Sequence, residues 1–201
     1  MNKKTIITIA VIAALLLIIG AAYFLQSKER SEFQAANAAE PVVNEELSLE
    51  FAYVAGPDAL SMFEPSSNRE PLLGSYILLP SADFVAIRNQ ESERTPPSIS
   101  IFVYDFSDSA LPVEIESLGR SEKVLAWARA NQGLTGLTDA IEPESVELDG
   151  VSGFRYQYPA EYEQTIQLHS YDHKLYMFVG QYDNGDMQDL YEEVLESVRF
   201  I

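Results

Sequence analysis

The sequence predicts an α+β fold in which an antiparallel β-sheet lies between helices, an α/β/α arrangement preceded by one N-terminal transmembrane helix. Residues 98–106 and 174–182 alternate so that both faces of each strand are hydrophobic, and both faces must therefore be covered. Two helices, predicted at 122–131 and 186–198, each carry one apolar stripe that suits this role. Residues 5–25 form an uncharged hydrophobic run. The chain is therefore expected to consist of an anchor and a layered domain.

The N-terminal run has the length of a membrane span. As a helix with a rise of about 1.5 Å per residue, residues 5–25 would extend roughly 30 Å, the thickness of a hydrocarbon core. Lys3-Lys4 precede the run, and the short N-terminus favours an orientation with residues 1–4 in the cytoplasm. A cleaved signal peptide is the alternative, because Gly20-Ala21-Ala22 resembles a cleavage site, although the run continues beyond it. We predict an uncleaved signal-anchor in the cell membrane and a domain outside the cytoplasm.

The composition excludes several classes of protein. The 201 residues include 31 acidic and 13 basic side chains, whereas nucleic-acid binding relies on Lys and Arg, so no nucleic-acid partner is expected. The chain has no cysteine, which excludes disulfide scaffolds, thiolate zinc sites and a cysteine nucleophile. Residues 26–45 contain few large hydrophobic side chains and are predicted to form a linker. This linker would hold the acidic domain, residues 46–201, away from an anionic lipid surface.

Turn residues separate a series of short strands within the domain. Asp149-Gly150 and Asp172-His173 each mark a tight turn between two strands. Ser121 is a predicted N-cap, and Gly133 follows the helix that Ser121 would begin. In chain order the predicted elements are strand 47–54, strand 72–79, helix 81–88, polar loop 91–97, strand 98–106, helix 122–131, strands 145–148 and 153–158, strands 162–171 and 174–182, and helix 186–198.

Six stretches of the domain together form a characteristic sequence pattern. They are FAY at 51–53, PPSISIFVYD at 96–105, LAWARAN at 125–131, ELDGVSGFRYQY at 147–158, HSYDHKLYMFVGQY at 169–182 and LESVRFI at 195–201. With this pattern the domain resembles the PsbP-like α/β/α sandwich, a fold of photosystem II extrinsic proteins and of many small bacterial proteins. The family's usual proline and tryptophan after the opening aromatic pair are absent, since Val54-Ala55-Gly56 follows there. The resemblance implies the fold and a non-catalytic accessory role, and it carries over no metal-binding or photosystem-binding residue.

A search for catalytic and metal-binding patterns finds no motif. His169 and His173 flank Asp172, but four residues of extended chain span about 13 Å, too far for two ligands of one metal ion. The segment Gly150-Val151-Ser152-Gly153 lacks the spacing of a nucleophile elbow. Asp183-Asn184-Gly185-Asp186 lacks the ligand order of a calcium loop, so Asp186 is interpreted as a cap of the last helix, with a weak calcium site as the alternative. We therefore predict no catalytic, metal-binding or cofactor-binding residue.

Tyrosines are concentrated in the C-terminal strands. Aromatic rings with a polar tip suit interfaces and ligand grooves, but they suit equally well a sheet that is covered by helices. Packing under helices is the interpretation adopted for all six of them, which are Tyr156, Tyr158, Tyr162, Tyr171, Tyr176 and Tyr182.

These observations predict a single-pass membrane protein whose extracytoplasmic domain has an accessory or binding role without catalysis. Residues 5–25 would contact the lipid bilayer, and no cofactor is expected. The sequence identifies neither a protein nor a small-molecule partner, so the binding residues stay open. One alternative is an envelope hydrolase that uses His169 together with acids that the sequence does not locate. The other is a structural or self-associating envelope element.

Overall fold

The computed structural model describes residues 38–56, 59–63, 71–83, 97–107, 111, 115, 118–160, 162–182 and 185–201. The chain divides into two units, Met1–Ala38 and Ala39–Ile201. The predicted transmembrane segment, residues 5–25, lies outside the described residues, as does most of the predicted linker. In the part of the chain that is described, no helix is long and apolar enough to cross a membrane.

The described residues form mostly β-sheet with a few helices. The strands are β1 (Ala38–Asn44), β2 (Leu49–Ala55), β3 (Leu60–Phe63), β4 (Leu72–Pro80), β5 (Ile99–Asp105), β6 (Glu144–Leu148), β7 (Val151–Pro159), β8 (Glu163–Tyr171), β9 (Lys174–Tyr182) and β10 (Arg199–Phe200). The helices include α1 (Arg120–Ala130), α2 (Gln132–Thr135) and α3 (Gly185–Ser197). Residues 81–83 are also helical, as the start of the predicted helix 81–88 requires, while residues 84–88 lie outside the described part.

The strands described here join in one sheet with the order β1-β2-β3-β4-β5-β9-β8-β7-β6, and β10 pairs with β2. The pairing of β2 with β3 is parallel, whereas the pairings from β3 through β4, β5, β9, β8 and β7 to β6 are antiparallel. Asp149-Gly150 and Asp172-His173 form the β6–β7 and β8–β9 turns with positive φ at both central residues. Both predicted hairpins are confirmed, and the positive φ angles match the twist of the flanking strands.

The centre of the sheet is covered on both faces, as its hydrophobic pattern predicts. On β5, Ile99, Ile101 and Val103 pack in a cluster with Tyr191 and Val194 of α3. The alternate residue Tyr104 packs instead in a second cluster, which includes Trp127 of α1. Strand β9 divides in the same manner, because Tyr176 and Phe178 belong to the first cluster while Leu175 and Met177 belong to the second. We refer to these two sides of the sheet as the α3 face and the α1 face.

The helix boundaries differ slightly from the prediction. Helix α1 begins at Arg120, two residues before the predicted start at 122, so the prediction of Ser121 as N-cap is wrong. The N-cap is Gly119, whose own N–H donates to Glu122 Oε2 at 3.2 Å, whereas a serine cap would have accepted from an N–H of the first turn. Helix α3 begins at Gly185, so Asp186 lies in its first turn and is not its cap. An acid in the first turn is still favourable there because it opposes the helix dipole.

Strand β1 differs from the prediction that residues 26–45 form a linker. Its seven residues occupy one edge of the sheet, and Tyr53 of β2 donates a hydrogen bond to Glu40 Oε2 at 3.1 Å. The strand contains Pro41, which cannot donate a ladder hydrogen bond and therefore suits an edge. The predicted strand 47–54 accordingly begins two residues later, at Leu49, after a turn at 45–48.

Gly153 lies where the backbones of β7 and β8 approach closely, and a substitution at this position tests that packing. A Cβ atom there would lie 2.3 Å from the backbone oxygen of Leu168 and 2.4 Å from His169 Nδ1, so two paired strands would have to separate. We expect Gly153→Ala to lower the free energy of unfolding by about 1–3 kcal/mol in denaturant titrations. Gly133→Ala is the matched control, because its Cβ would meet nothing within 4 Å and alanine favours the helical conformation of α2. Equal effects of the two substitutions would contradict this packing.

Candidate functional site

His169, the residue on which a hydrolase would depend, is a buried core residue. Its side chain is 0% exposed, and its ring packs against Phe178 and Phe200 at centroid distances of 6.1 Å and 6.2 Å. Nδ1 lies 3.1 Å from the carbonyl oxygen of Val151, and Nε2 lies 3.2 Å from the Gln167 carboxamide. Because a carbonyl only accepts, Nδ1 of the neutral imidazole carries the proton, and the lone pair of Nε2 accepts from Gln167 when that carboxamide turns its NH2 group, in place of Oε1, towards the ring. Both nitrogens are thus engaged inside the domain.

The surroundings of His169 favour its neutral form. Burial lowers the pKa of His169 from 6.5 to about 4, although the hydrogen bond to Val151 acts in the opposite direction. Such a side chain has neither the solvent access nor the neighbouring nucleophile that general base catalysis needs. His169 pairs across the strands with Tyr176, as the sequence indicates, while His173 lies on the exposed β8–β9 turn. The structure therefore does not bring the two histidines together.

Metal-binding groups do not converge in the described part of the chain. Its residues contain no group of three or more His, Asp or Glu side chains that could hold an ion. Of the sequence Asp183-Asn184-Gly185-Asp186, the first two residues lie outside the described part, and the last two begin α3. The calcium alternative therefore remains a prediction.

The C-terminal tyrosines serve the packing of the sheet. Tyr156 and Tyr176 are buried and donate hydrogen bonds of 2.8 Å to the carbonyl oxygens of Thr135 and Leu47. Tyr182 is buried against Tyr191 of α3 at a centroid distance of 5.9 Å. Desolvation by burial raises the pKa of all three of these strand tyrosines. Packing of a sheet covered by helices accounts for these three tyrosines, while Tyr156 also lines a surface cavity beside Glu142 and Glu144, and Tyr171 lines one beside Arg120.

A groove on the α3 face is lined by both acids and bases. It has a volume of about 340 Å³ and runs between α3, the C-terminal segment and strands β6 to β8. Arg155 forms an ion pair with Glu192, and Arg199 Nε lies 3.8 Å from Asp149 Oδ1. Both arginines that line the groove therefore already have a carboxylate partner. Glu147 and Glu196 leave the groove with an excess of negative charge. A neighbouring cavity of about 490 Å³ also has an excess of negative charge, because two acidic residues, Glu142 and Glu144, and one basic residue, Arg155, line it.

Two cavities at the beginning of α1 have the opposite character, and we refer to them as the α1-end cavities. One, of about 400 Å³, is lined by Arg120, Ser121, Val124, Phe154, Tyr171 and residues 150–152 of the β6–β7 hairpin. The other, of about 300 Å³, is lined by Phe106, Leu118, Arg120, Lys123, Ser170, Asp172 and His173. Arg120 is common to both. Sequence analysis did not identify these residues, because the start of α1 and the β8–β9 turn are about fifty positions apart in the chain.

Comparisons with known proteins bear on the fold alone. The chain is similar to the solution structure of cyanobacterial PsbP (CyanoP) from Synechocystis sp. PCC 6803, with a TM-score of 0.51 and 9% identity over 83% of this chain and 94% of that chain. The domain has a PsbP-like fold. A Bacteroides thetaiotaomicron structure is similar over 76% of this chain and 45% of that chain, with 9% identity, but its TM-score of 0.40 is too low to support an argument. No family model and no curated protein sequence matches the chain.

The buried histidine predicts how the stability of the PsbP-like domain depends on pH. The folded domain resists protonation of His169 until about pH 4, whereas the unfolded chain takes up the proton near 6.5. This contribution to stability is complete above pH 6.5 and is lost as the pH falls from 6.5 towards 4, by about 3 kcal/mol. We expect His169→Gln to remove this part of the pH dependence of the free energy of unfolding.

The matched control for His169→Gln is His173→Asn on the exposed β8–β9 turn, where asparagine tolerates the positive φ of 60°. This variant should keep the slope of the original protein between pH 6.5 and 4. If both variants keep that slope, His169 is not the buried neutral group that the structure describes.

Proposed function

We propose that this chain is a single-pass membrane protein whose acidic domain lies outside the cytoplasm and acts by binding, without catalysis. The absence of catalysis is supported by the burial of His169. Both of its ring nitrogens lie within hydrogen-bond distance of groups in the domain, and the side chain has no exposed surface. The surface of the described residues instead offers open cavities of 300–490 Å³. Cavities of this size suit a small ligand or one side chain of a partner.

The fold supports an accessory role. A PsbP-like domain is the arrangement for which the sequence resemblance implies an accessory function and no chemistry of its own. A fold by itself does not determine function, which depends on the side chains of its sites. His169 is buried against Phe178 and Phe200 of the α3 face, and Tyr156 and Tyr176 donate hydrogen bonds to backbone carbonyls of the same domain. The side chains most suited to catalysis thus contribute to the stability of the core.

The membrane location is supported by the sequence of residues 5–25. Exposing these apolar residues to water would cost roughly 25 cal/mol for each Å² of hydrocarbon surface. A membrane helix removes that exposure and satisfies every backbone group internally. The two hydrophobic stripes of α1 and α3 are already buried against the sheet, so neither helix offers the N-terminal run an apolar surface. An acidic domain outside the cytoplasm is consistent with a tether that keeps it away from anionic lipids.

Membrane fractionation tests the topology. We expect the full-length chain to remain in the membrane fraction after alkaline carbonate extraction. Protease added to cells whose outer barrier has been opened should digest the domain, while a cytoplasmic marker protein remains intact as the control. A mature N-terminus near Tyr23 together with recovery in the soluble fraction would show that the run is a cleaved signal, which contradicts the anchor.

A substrate panel tests the absence of catalysis. The full-length chain is assayed against chromogenic esters, phosphate esters and glycosides, and we expect no turnover above that of the buffer. The deciding variant is His169→Gln, whose folding is checked by circular dichroism. Turnover by the original protein that is lost in this folded variant would contradict the binding role and favour the hydrolase.

A further inference from the structure

Strand β6 lies at one end of the sheet and offers a free edge. Among the described residues it pairs with β7 alone, and no further strand follows it in the strand order. Strand β1, at the other end, contains Pro41, which cannot donate a hydrogen bond to an added strand. Strand β6 has the sequence ESVEL and contains no proline. An exposed edge of this kind is a template on which another chain can add a strand.

The register of the β6–β7 hairpin determines which backbone groups of β6 point to this edge. Leu148 and Val151 flank the two-residue turn and therefore bond to each other. Positions of an antiparallel pair alternate between bonded and non-bonded, so every second residue back from Leu148 also bonds to β7. The N–H and C=O groups of Ser145 and Glu147 consequently point away from β7. Within the described part of the chain they have no backbone partner.

The side chains beside the free edge are acidic on both faces of the strand. Glu144 and Glu147 are exposed, and neither forms an ion pair with any described residue. An odd number of positions separates them, so they lie on opposite faces of β6. The groove of about 340 Å³, which Val146 and Leu148 help to line, adds an excess of negative charge beside the strand. An added strand would therefore meet acids on either face.

These charges determine which occupant suits the edge. Charged side chains discourage the pairing of edges, and two copies of a chain with a net charge of −18 would bring like charges together here. A basic segment would instead form ion pairs with Glu144 and Glu147. The half-buried side chains of Val146 and Leu148 offer apolar surface beside the edge for its other side chains. Main-chain bonds supply affinity in such strand addition, while the side chains supply specificity.

We propose that the free edge of β6 binds an extended segment of a partner protein, rich in lysine and arginine, as an additional strand. The backbone groups of Ser145 and Glu147 form the hydrogen bonds to this strand. The acids beside the edge select its basic side chains and keep out a second copy of this chain. This inference rests on the proposed binding role, whose partner it defines by chemistry, but it does not depend on the membrane anchor.

Titration calorimetry on the full-length chain in a non-ionic detergent tests the proposal with the peptide acetyl-KVKVKVK-amide. We expect this lysine peptide to bind, and its acidic counterpart acetyl-EVEVEVE-amide not to bind. The lysine peptide with every backbone N–H methylated keeps its charge but loses its donors, so it should not bind either. Absence of binding up to about 1 mM lysine peptide overturns the proposal. Equal binding of either of the other two peptides also overturns it.

Variants of β6 test the same edge from the side of the protein. Because the N–H of Ser145 points away from β7, Ser145→Pro removes a donor of the free edge and no bond of the hairpin. It should weaken binding of the lysine peptide at least about tenfold, since its ring also occupies the space of the added strand. Glu144→Gln combined with Glu147→Gln should weaken binding about threefold to tenfold. Circular dichroism checks that each variant is folded.

The matched control is Glu45→Gln combined with Glu46→Gln in the exposed β1–β2 turn. It removes the same charge, and these two residues line none of the cavities described above. This control should leave the affinity for the lysine peptide unchanged. Equal losses in the two double variants would show that binding follows the net charge of the chain, and would overturn the site at β6.

Amide hydrogen exchange identifies what occupies the edge. The lysine peptide should protect the amides of Ser145 and Glu147, while that of Val146, which already bonds to β7, should change less. Protection of neither outward amide by a bound peptide would show contact through charge alone and overturn the added strand. Protection in the chain without peptide also overturns the proposal. It indicates a second copy as the occupant if it is lost on dilution, and a segment of this chain itself if it persists.

Failure of this proposal is distinguishable from failure of the proposed function. None of the peptide, variant or exchange results concerns membrane extraction or the substrate panel. A chain that stays in the membrane fraction and shows no turnover, but binds no lysine peptide, would keep the proposed function and lose the site at β6.

Discussion

The structure depends on one constraint, which is that the two central strands are hydrophobic on both faces. Strands β5 and β9 lie side by side, and their alternate residues enter different clusters. Burial of each large apolar side chain contributes about 1.5–3 kcal/mol, so leaving either face in water would cost more than the net stability of an ordinary domain. Helix α1 on one face and α3 on the other meet this requirement, and the remaining strands extend the sheet from that centre.

The same constraint determines which polar side chains remain accessible to a ligand. His169, three strand tyrosines and the aromatic ring of Phe200 fill space on or beside the covered faces. The polar atoms of His169, Tyr156 and Tyr176 form hydrogen bonds within the domain. Polar side chains remain accessible where elements begin or end, since there the cover is incomplete. The start of α1 and the adjacent β8–β9 turn form such a place. Binding at such a place or at an edge of the sheet is thus compatible with a fully packed centre, whereas chemistry at His169 is not.

Sequence reasoning succeeds where periodicity is strong. The alternation in β5 and β9 predicts which side chains share a face, and the turn residues predict both C-terminal hairpins. Short-range signals are less informative, because the helix cap is Gly119, whose N–H donates to Glu122, where Ser121 was expected, and the large hydrophobic side chains of β1 are only Val42 and Val43. The α1-end cavities could not be predicted, since Arg120 and Ser170 meet only through the tertiary fold.

Residue-resolved amide hydrogen exchange tests the central constraint most directly. If the covered pair of strands holds the fold together, amides of Ile101 in β5 and Phe178 in β9 exchange only through global unfolding. Their free energy of exchange then equals the free energy of unfolding from denaturant titration. Amides of the edge strands β1 and β6 should exchange through local openings of lower free energy. Exchange of Ile101 or Phe178 as fast as that of Val146 in β6 would contradict the account.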